Sequence, residues 1–561
     1  MSLWAGDVSG IDLNAMTSGT LIESLGIEIV ELRDDALVAR MPVDHRTVQP
    51  AGVLHGGASV ALAETVASFG AVALIDRERF VAVGQEINAN HLRPKLSGVV
   101  RATGVPVSRR PTAGSSDPRE HGYSVPSLHL CSAHVCVHWV PSTSDAPPAF
   151  DANHNLLPDQ VERTIAAFES AWRTEVVQMG FRAPRSDETS VDHGPNAELD
   201  VYLADIGADG LGGFVATDDP HASDGDYRYR DYSAYVVIDN DFSAAQFRSG
   251  GEGGLRVTAA HEFFHAVQYA YDAGEDDWLM EGTAVWMEDR VADDVNANRS
   301  WLVHGPMTQP WVPVDSSRGL HEYASWIFWR NLTESTGVDG ADPTLIRRVW
   351  ELAADGPGDP NLFSARAVAR ALKGHERSLA GALAGFGIAN LAPAVFYREG
   401  AAYPTAPVVR DHRVSARHPN TGRGLVLVNH LSTAAVAFEP GTGAPATASL
   451  RLEVDAPPRR TGSAARVLIA MRTGALRVEY LTLDADGDAD LLVPFGSRAV
   501  SRVVIVFANA STSFRCWTGA GFSCNGRSRA DGMPFGYTAE LVRSSPSSSS
   551  ALGGNGNAIG S

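Results

Sequence analysis

The spacing of apolar and polar positions along the chain changes several times and predicts elements of different kinds. Near the N-terminus, the runs IEIVEL, ALVARMP, VAVGQEINANHL and VVRATGVPV predict strands around one helical stretch, Gly56 to Ile75. Further along, helical spacing of apolar positions predicts long helices at 158–179, 255–272 and 321–335. After residue 410, short β-branched runs separated by Gly, Pro and Asp are typical of a β-sandwich.

These changes indicate several domains, as expected for a chain of 561 residues, which is too long for one compact core. The stretch RRPTAGSSDPREHGYSV is polar and rich in turn-forming residues, so we interpret it as a junction. The predicted fold class is multidomain, with an α+β module at 1–108, the junction at 109–125, a second α+β domain at 126–410, an all-β sandwich at 411–545 and a low-complexity, disordered tail at 546–561.

Charge and hydropathy argue against several classes of partner. The net charge of −20, with no run rich in Lys or Arg, argues against a nucleic-acid partner. No run of about 18 apolar residues is present, so we expect no membrane span. The N-terminus has neither a basic start nor an apolar stretch, so we expect no signal peptide and a cytoplasmic location.

The four cysteines are too few for a disulfide scaffold. In FRCWTGAGFSCNG, two glycines would allow Cys516 and Cys524 to approach each other. Such a disulfide would indicate an exported ancestor, in conflict with the N-terminus. If HLCSAHVCVHW forms one strand, we expect Cys131 and Cys136 on its opposite faces.

The stretch HEFFHAVQYAYDAGEDDWLMEG, residues 261–282, contains candidate metal ligands. His261 and His265 are four apart on the predicted helix, so they project from one side and can reach the same tetrahedral zinc ion. Glu262 lies beside them, where it would act as general base for the attacking water, and Glu281 would complete the ligand set. The alternative is a solvated amphipathic helix, and HExxH alone favours neither.

The segments HEFFHAVQ and WLMEGTAVWMED together resemble the gluzincin metallopeptidases, and more closely a group of bacterial secreted zinc peptidases. The resemblance covers roughly residues 126–543 and implies an α+β metallopeptidase domain, then a β-sandwich, acting on a peptide or protein substrate. It also implies that Tyr323 stabilises the oxyanion; Glu288 would contact a ligating histidine. A core aromatic and a solvated acid are the alternatives. The β-rich run Tyr235–Asp239 suits an edge strand that pairs with an extended substrate.

Residues 151–162, DANHNLLPDQVE, have the spacing of a twelve-residue calcium loop. Calcium requires hard oxygen ligands at alternating positions, and the departure here is Leu156, where such loops carry a glycine with positive φ. The alternative is a helix N-terminus opened by Pro158, whose first turn favours acids. The candidate ligands are Asp151, Asn153, Asn155, the Leu157 carbonyl, Asp159 and Glu162.

The stretch QPAGVLHGGASVALAETVASFGA, with GQEINANHLRP after it, resembles the hotdog-fold acyl-CoA thioesterases of phenylacetic-acid and menaquinone pathways. By motif position, Glu64 would be the catalytic carboxylate and the Gly56 N–H would polarise the thioester carbonyl. Gln49 and His55 would position the thioester or water, and His91 would contact the substrate. Without the motif, Glu64 would be a solvated helix acid. The family builds this site across a homo-oligomer, and its late strands are expected to be missing here.

The leading hypothesis is therefore a zinc-dependent endopeptidase fused behind a hotdog thioesterase module. The first alternative is that acyl-CoA thioester hydrolysis is the working activity. The second is a catalytically dead binding protein stiffened by calcium, and the intact zinc-ligand residues argue against it.

Overall fold

The computed structural model describes residues 17–32, 37–74, 95–104, 123–188, 190, 194–223, 227–247, 250–334, 343–375, 377–514 and 529–542. The chain forms two compact units, Met1–Thr112 and Ala113–Ser561, here called unit one and unit two. None of the helices in the described ranges is both long enough and apolar enough to cross a membrane.

Unit one contains a three-stranded antiparallel sheet with strand order β1-β2-β3. Its elements are α1 (Leu21–Leu25), β1 (Glu28–Leu32), β2 (Leu37–Val43), α2 (Gly56–Leu74) and β3 (Gly98–Gly104). The helix predicted from Gly56 is thus confirmed, with Ile75 outside the described residues. The predicted strand VAVGQEINANHL, which includes His91, also lies outside them.

Helix α2 packs on the sheet of unit one through a stripe of small and aliphatic side chains. Ala58, Leu62 and Val66 recur every four residues and are buried against the apolar face of β2. A Cβ added at Gly104 of β3 would lie 2.5 Å from Val66 Cγ1, so this glycine permits the close approach of helix and sheet.

Unit two begins with a five-stranded mixed sheet of order β4-β5-β6-β8-β7. The strands β5, β6 and β8 are parallel, and antiparallel β4 and β7 flank them. Their bounds are β4 (Leu128–Cys131), β5 (Val135–Trp139), β6 (Leu199–Ala204), β7 (Gly213–Ala216) and β8 (Tyr235–Asp239).

Two expectations about this sheet are wrong. The run Tyr235–Asp239 is the interior strand β8, because it is apolar on both faces and pairs with β6 and β7; the edge strand next to it is β7. Cys131 and Cys136 lie on two strands of one hairpin, directly opposite each other, and form a disulfide. Cys516 and Cys524 lie outside the described residues.

The helices of unit two enclose a core with five fully buried tryptophans. The predictions at 158–179 and 255–272 are confirmed, the first as α3 followed by a π-helix, Arg173–Gln178. The predicted helix at 321–335 is broken at Ser325, whose hydroxyl donates to the Glu322 carbonyl. The helices are α3 (Asp159–Trp172), α4 (Pro220–Ser223), α5 (Gly251–Asp272), α6 (Asp277–Val291), α7 (His321–Ala324), α8 (Trp326–Glu334), α9 (Pro343–Ala353), α10 (Ala365–Gly374), α11 (Leu379–Leu391) and α12 (Pro393–Phe396).

The C-terminal part of unit two is a sandwich of two sheets. Their strand orders are β10-β17-β12-β15 and β14-β13-β16-β11-β9, and alternate side chains from both sheets fill one apolar core. The strands are β9 (Arg410–Val414), β10 (Gly424–Val428), β11 (Ser432–Pro440), β12 (Ser449–Asp455), β13 (Ser463–Met471), β14 (Leu476–Leu481), β15 (Asp488–Pro494), β16 (Val500–Asn509) and β17 (Met533–Val542).

Helix α11 attaches the helices to this sandwich. Its Ile388 packs with Ala437, Leu468 and Val504 on the outer face of the five-stranded sheet. This contact makes the helical part and the sandwich one compact body.

Candidate active sites

Helices α5 and α6 bring the three predicted zinc ligands together. His261 Nε2 lies 3.0 Å from His265 Nε2. Glu281 Oε2 lies 3.2 Å from His261 Nε2 and 3.5 Å from His265 Nε2. The four-residue spacing places both imidazoles on one face of α5, and the short turn before α6 places Glu281 opposite them. One ligand atom from each residue thus lies within 4.8 Å of the others.

The outward nitrogens of both imidazoles have hydrogen-bond acceptors. His261 Nδ1 lies 2.8 Å from Glu288 Oε1, and His265 Nδ1 lies 2.6 Å from Gln268 Oε1. The Gln268 amide nitrogen donates to the Met280 carbonyl and to Thr283 Oγ1, so its oxygen faces the imidazole. Both Nδ1 atoms therefore act as donors in the neutral rings. The sequence prediction for Glu288 named this kind of contact, whereas Gln268 was missed, although HExxHxxQ contains it.

This network fits a bound cation. With both Nδ1 atoms protonated, the Nε2 lone pairs point at each other and at the Glu281 carboxylate, which is a donor set that zinc accepts. Burial alone would raise the pKa of Glu281, but the His265 and His261 imidazoles hold it well below its usual range. Burial opposes charge on His261, yet the Glu281 and Glu288 carboxylates raise its pKa well above its usual value. The cluster therefore favours positive charge at its centre.

Glu262 lies between the imidazoles and the edge strand β7. The side chain is buried, its Oε2 has no hydrogen-bond partner among the described residues, and burial raises its pKa. A Cβ added at Gly213 of β7 would lie 2.6 Å from Glu262 Cγ and 3.0 Å from its Oε1. The absence of a side chain at Gly213 thus allows the Glu262 carboxyl group to contact the edge strand.

Tyr323 of α7 also faces the cluster. Its ring stacks on His261 with centroids 6.1 Å apart, and on Trp301 with centroids 4.8 Å apart. The charge of Glu281, together with burial, raises the pKa of Tyr323 well above its usual value, so its hydroxyl stays protonated at neutral pH. Trp301 was not predicted, because a single aromatic residue in an irregular segment gives no signal in the sequence.

The candidate calcium loop folds back so that its polar side chains converge. Asn155 Nδ2 donates to Glu162 Oε1 at 2.8 Å, and Asn153 Nδ2 donates to Glu162 Oε2 at 3.0 Å. Asp151 accepts hydrogen bonds from the backbone N–H groups of Asn155 and Leu156. Four of the proposed ligand side chains are thus grouped around one centre.

The backbone of this loop turns sharply at Leu156. Leu156 has φ of 71°, the left-handed conformation expected at the glycine position, and its side chain is 93% exposed. Asp159 Oδ1 accepts from the Ala152 N–H at 3.0 Å, and Leu157 N donates to Asn155 Oδ1. The helix that Pro158 precedes begins at Asp159, as the alternative interpretation also requires.

In unit one, three of the predicted thioesterase residues lie at the N-terminus of α2. The Gln49 carbonyl accepts from the Gly52 N–H at 2.8 Å in a tight turn, and His55 Nδ1 accepts from the Gly57 N–H at 2.9 Å. Gly56 is the first residue of the helix. His91 lies outside the described residues.

Glu64 lies further along α2, apart from that group. It is eight residues after Gly56, which is about 12 Å along a helix axis. Its half-buried carboxylate accepts a hydrogen bond from Ser68 Oγ at 3.0 Å. A single chain therefore does not bring Glu64 next to Gly56.

Comparison with known proteins identifies unit one. Residues 51–112 match the model of a family described as the thioesterase superfamily. ComA2 of Bacillus subtilis, an esterase by name, is 64% identical over 88 residues, which cover 16% of this chain and 70% of that protein. The proofreading thioesterase EntH of Cronobacter turicensis is 49% identical over 105 residues, 19% of this chain and 76% of that protein.

Unit one is also similar in sequence to a protein of solved structure. The crystal structure of the thioesterase HI1161 from Haemophilus influenzae is 46% identical to this chain, covering 19% of this chain and 76% of that one, with a TM-score of 0.19. The family match ends at residue 112, where unit one also ends, so it does not bear on unit two. The expectation of an N-terminal hotdog thioesterase module is confirmed, and through this module the chain belongs to the thioesterase superfamily.

Proposed function

We propose that unit two hydrolyses peptide bonds with a zinc ion held by His261, His265 and Glu281. The observation that carries this proposal is the convergence of two imidazole Nε2 atoms and one carboxylate oxygen within 4.8 Å, with both Nδ1 atoms facing acceptors. Protein zinc sites of catalytic type use three such ligands and leave one position open. A bound zinc ion would polarise the scissile carbonyl and acidify the attacking water.

Glu262 is the proposed general base. Its buried carboxyl group lies against the edge strand at Gly213 and follows His261 directly in α5, so it can take the proton of the attacking water and pass it to the leaving amine. Burial raises the pKa of Glu262, and a higher pKa helps this carboxyl group both to accept the proton from water and to release it to the leaving amine.

Strand β7 is the proposed substrate-binding edge. Among the described residues it pairs only with β8, and it runs past Glu262 at Gly213. An extended peptide can add to such an edge through main-chain hydrogen bonds, which position its carbonyl without regard to sequence. Tyr323, protonated and facing the cluster, would then donate a hydrogen bond to the developing oxyanion.

The test is hydrolysis of casein by the full chain and by Glu262→Gln. This change keeps the shape of the side chain and removes its basicity, so activity should fall by about 10²- to 10⁴-fold. Glu252→Gln, an exposed site on the same helix, is the matched control and should retain activity. Equal hydrolysis by Glu262→Gln and the parent would exclude Glu262 as the base.

We also propose that the loop at 151–162 binds calcium. The grouping of Asp151, Asn153, Asn155 and Glu162, with Leu156 in the left-handed conformation, supports it. Millimolar calcium should then raise the melting temperature, because it binds only the folded loop. Asp151→Ala should abolish that rise, and Asp486→Ala, in the exposed acidic turn before β15, should retain it. A melting curve unchanged by calcium would leave the loop as a helix N-terminus.

Hydrolysis of acyl-CoA thioesters by unit one is the second candidate function, and the family match favours it. The separation of Glu64 from Gly56 supports a site made by two subunits, one giving the carboxylate and the other the N–H. Among the described residues, β3 pairs with β2 alone. We therefore expect slower turnover than in a complete hotdog enzyme.

Two assays on one set of variants separate the two functions. With benzoyl-CoA and a medium-chain acyl-CoA, Glu64→Ala should lose thioester hydrolysis and Glu262→Gln should keep it. With casein, the same two variants should behave in the opposite way, so each is the control for the other. Rapid thioester turnover that Glu64→Ala abolishes, with no proteolysis by any variant, would make the thioesterase the working activity.

A further inference from the structure

A pocket of about 430 Å³ opens between helix α11 and the edge of the five-stranded sheet of the sandwich. It lies away from the zinc ligands, and neither candidate function uses it. One part of its wall is apolar, formed by Ile388, Val395, Phe396, Leu476 and Val478. Its volume is in the range of small-molecule sites, which are lined mainly by apolar groups with a few placed polar ones.

The polar part of the wall is dominated by Arg466. Tyr480 lies directly across from Arg466 in the β13–β14 ladder, and the guanidinium carbon lies 4.5 Å from the centre of that ring. No carboxylate in the described ranges forms an ion pair with Arg466, and burial lowers its pKa. The half-buried guanidinium group therefore stacks on a ring but has no anionic partner among the described residues, which favours the binding of an anion.

Helix α11 is shaped to accept this guanidinium. A Cβ added at Gly385 would lie 2.8 Å from Arg466 Nη1, and one at Gly381 would lie 3.9 Å from its Nη2. The two glycines therefore leave room for the guanidinium group beside α11.

Arg377 adds a second positive charge to the same pocket. Burial, and then the like charge of Arg466, lower the pKa of Arg377. The one acidic lining residue, Glu334, is already paired with Arg330 and accepts a hydrogen bond from the Arg398 N–H. The pocket thus presents two guanidinium groups beside an apolar wall.

We propose that this pocket binds a small organic carboxylate, with its anionic group on Arg466, near the positive charge of Arg377, and its apolar body against α11, α12 and β14. A planar guanidinium matches a carboxylate through two parallel hydrogen bonds. The apolar wall distinguishes such a ligand from an inorganic anion. This site is independent of zinc binding, so its test does not depend on the peptidase proposal.

The test is calorimetric titration of the full chain with 4-phenylbutyrate, with neutral 4-phenylbutanol and with inorganic phosphate. Phenylbutyrate should bind saturably, and the other two should bind at least about tenfold more weakly. Arg466→Gln should weaken the binding of phenylbutyrate by at least about tenfold, whereas Arg477→Gln, on the neighbouring strand β14 and on the face away from the pocket, should have no effect.

A second pair of variants tests the pocket even if Arg466→Gln fails to fold. Val395 is 50% exposed at the pocket, so a polar residue there is tolerated. Val395→Asp should weaken phenylbutyrate by charge repulsion, and Val395→Asn should not. Equal binding of the alcohol, equal binding of phosphate, no saturable heat up to about 10 mM, or identical affinity in the Asp and Asn variants would each overturn the proposal.

Discussion

His261 Nδ1 lies 2.8 Å from Glu288 Oε1, on the opposite side of the ring from Glu281. The contact between these two helix residues thus fixes both the orientation and the tautomer of His261, one of the proposed zinc ligands. In such arrangements the outer carboxylate raises the basicity of the imidazole that it contacts.

Replacing Glu288 with Gln keeps an acceptor for His261 Nδ1 but removes the negative charge. We expect the affinity for zinc to fall by about 10- to 100-fold, measured by competition with a chromogenic chelator. Asp294→Asn, which removes an exposed charge just after α6, is the control and should bind zinc as the parent does. Unchanged affinity for zinc in Glu288→Gln would show that the negative charge of Glu288 does not strengthen zinc binding.

Gly213→Val tests the role of the edge strand. The Cβ of the new side chain would lie 2.6 Å from Glu262 Cγ, which is too close, so the side chain of Glu262, the proposed general base, must move. Small displacements of a reacting group cost large factors, and we expect casein hydrolysis to fall by about 10²-fold with zinc still bound. Gly253→Ala on α5 meets only Val295 at 3.4 Å and should keep activity. Full activity in Gly213→Val would show that β7 does not determine the position of the catalytic groups.

Replacing Leu156 with glycine should stabilise the protein. A non-glycine residue at φ of 71° is strained by roughly 1–2 kcal/mol, and its exposed side chain contributes little packing. Leu156→Gly should therefore raise the free energy of unfolding by about 1 kcal/mol, after the entropy cost of glycine is included. Leu156→Ala keeps the Cβ and should give no gain. If Ala and Gly stabilise equally, the backbone strain is not the cause.

Stability should fall at high pH because of His430, which joins the helical part to the sandwich. Its Nε2 lies 3.0 Å from Asp315 Oδ2, and its Nδ1 lies 2.6 Å from Asp531 Oδ1. Burial opposes the charge, but the hydrogen bonds with Asp315 and Asp531 raise the pKa of His430 to about 9. Because the folded pKa is above the unfolded value of about 6.5, the stabilisation is full below pH 6.5 and is lost as the pH rises through 9.

The loss for His430 should amount to at most about 3 kcal/mol between these pH values, measured by urea unfolding of the full chain. In His430→Gln this loss should disappear. The exposed His418→Gln is the control and should follow the parent. A parent and a His430→Gln variant with the same slope against pH would contradict a charged His430.

The sequence predicted the elements whose pattern is local. The apolar stripe of α2 and the four-residue spacing of His261 and His265 follow from helix periodicity alone, and both are found. Leu156 was the departure from the calcium-loop pattern, and the structure nevertheless gives it the positive φ of the glycine that such loops carry. Glu281 was less certain as the third ligand than the two histidines, because fifteen residues of chain lie between His265 and Glu281 and no local periodicity connects them.

Tertiary pairing was not accessible in the same way. The edge strand β7 has only the sequence GFVA, too short for an alternating pattern, so the longer run YVVID was chosen instead. The hairpin that pairs Cys131 with Cys136 gives no signal in the sequence, because the four residues between them contain no Gly or Pro to indicate a turn. The Arg466 pocket joins residues from α11 and β13 that lie far apart in the chain, and nothing in either segment alone indicates it.

Metal analysis of the purified chain tests the central claim most directly. Mass spectrometry of the parent and of Glu262→Gln, after growth with added zinc, should show about one zinc per chain, because Glu262 is not a ligand. His265→Ala should show none, since it removes one of the three ligands in the cluster. Zinc bound equally by His265→Ala and the parent, or no zinc in the parent under these conditions, would contradict the proposed centre.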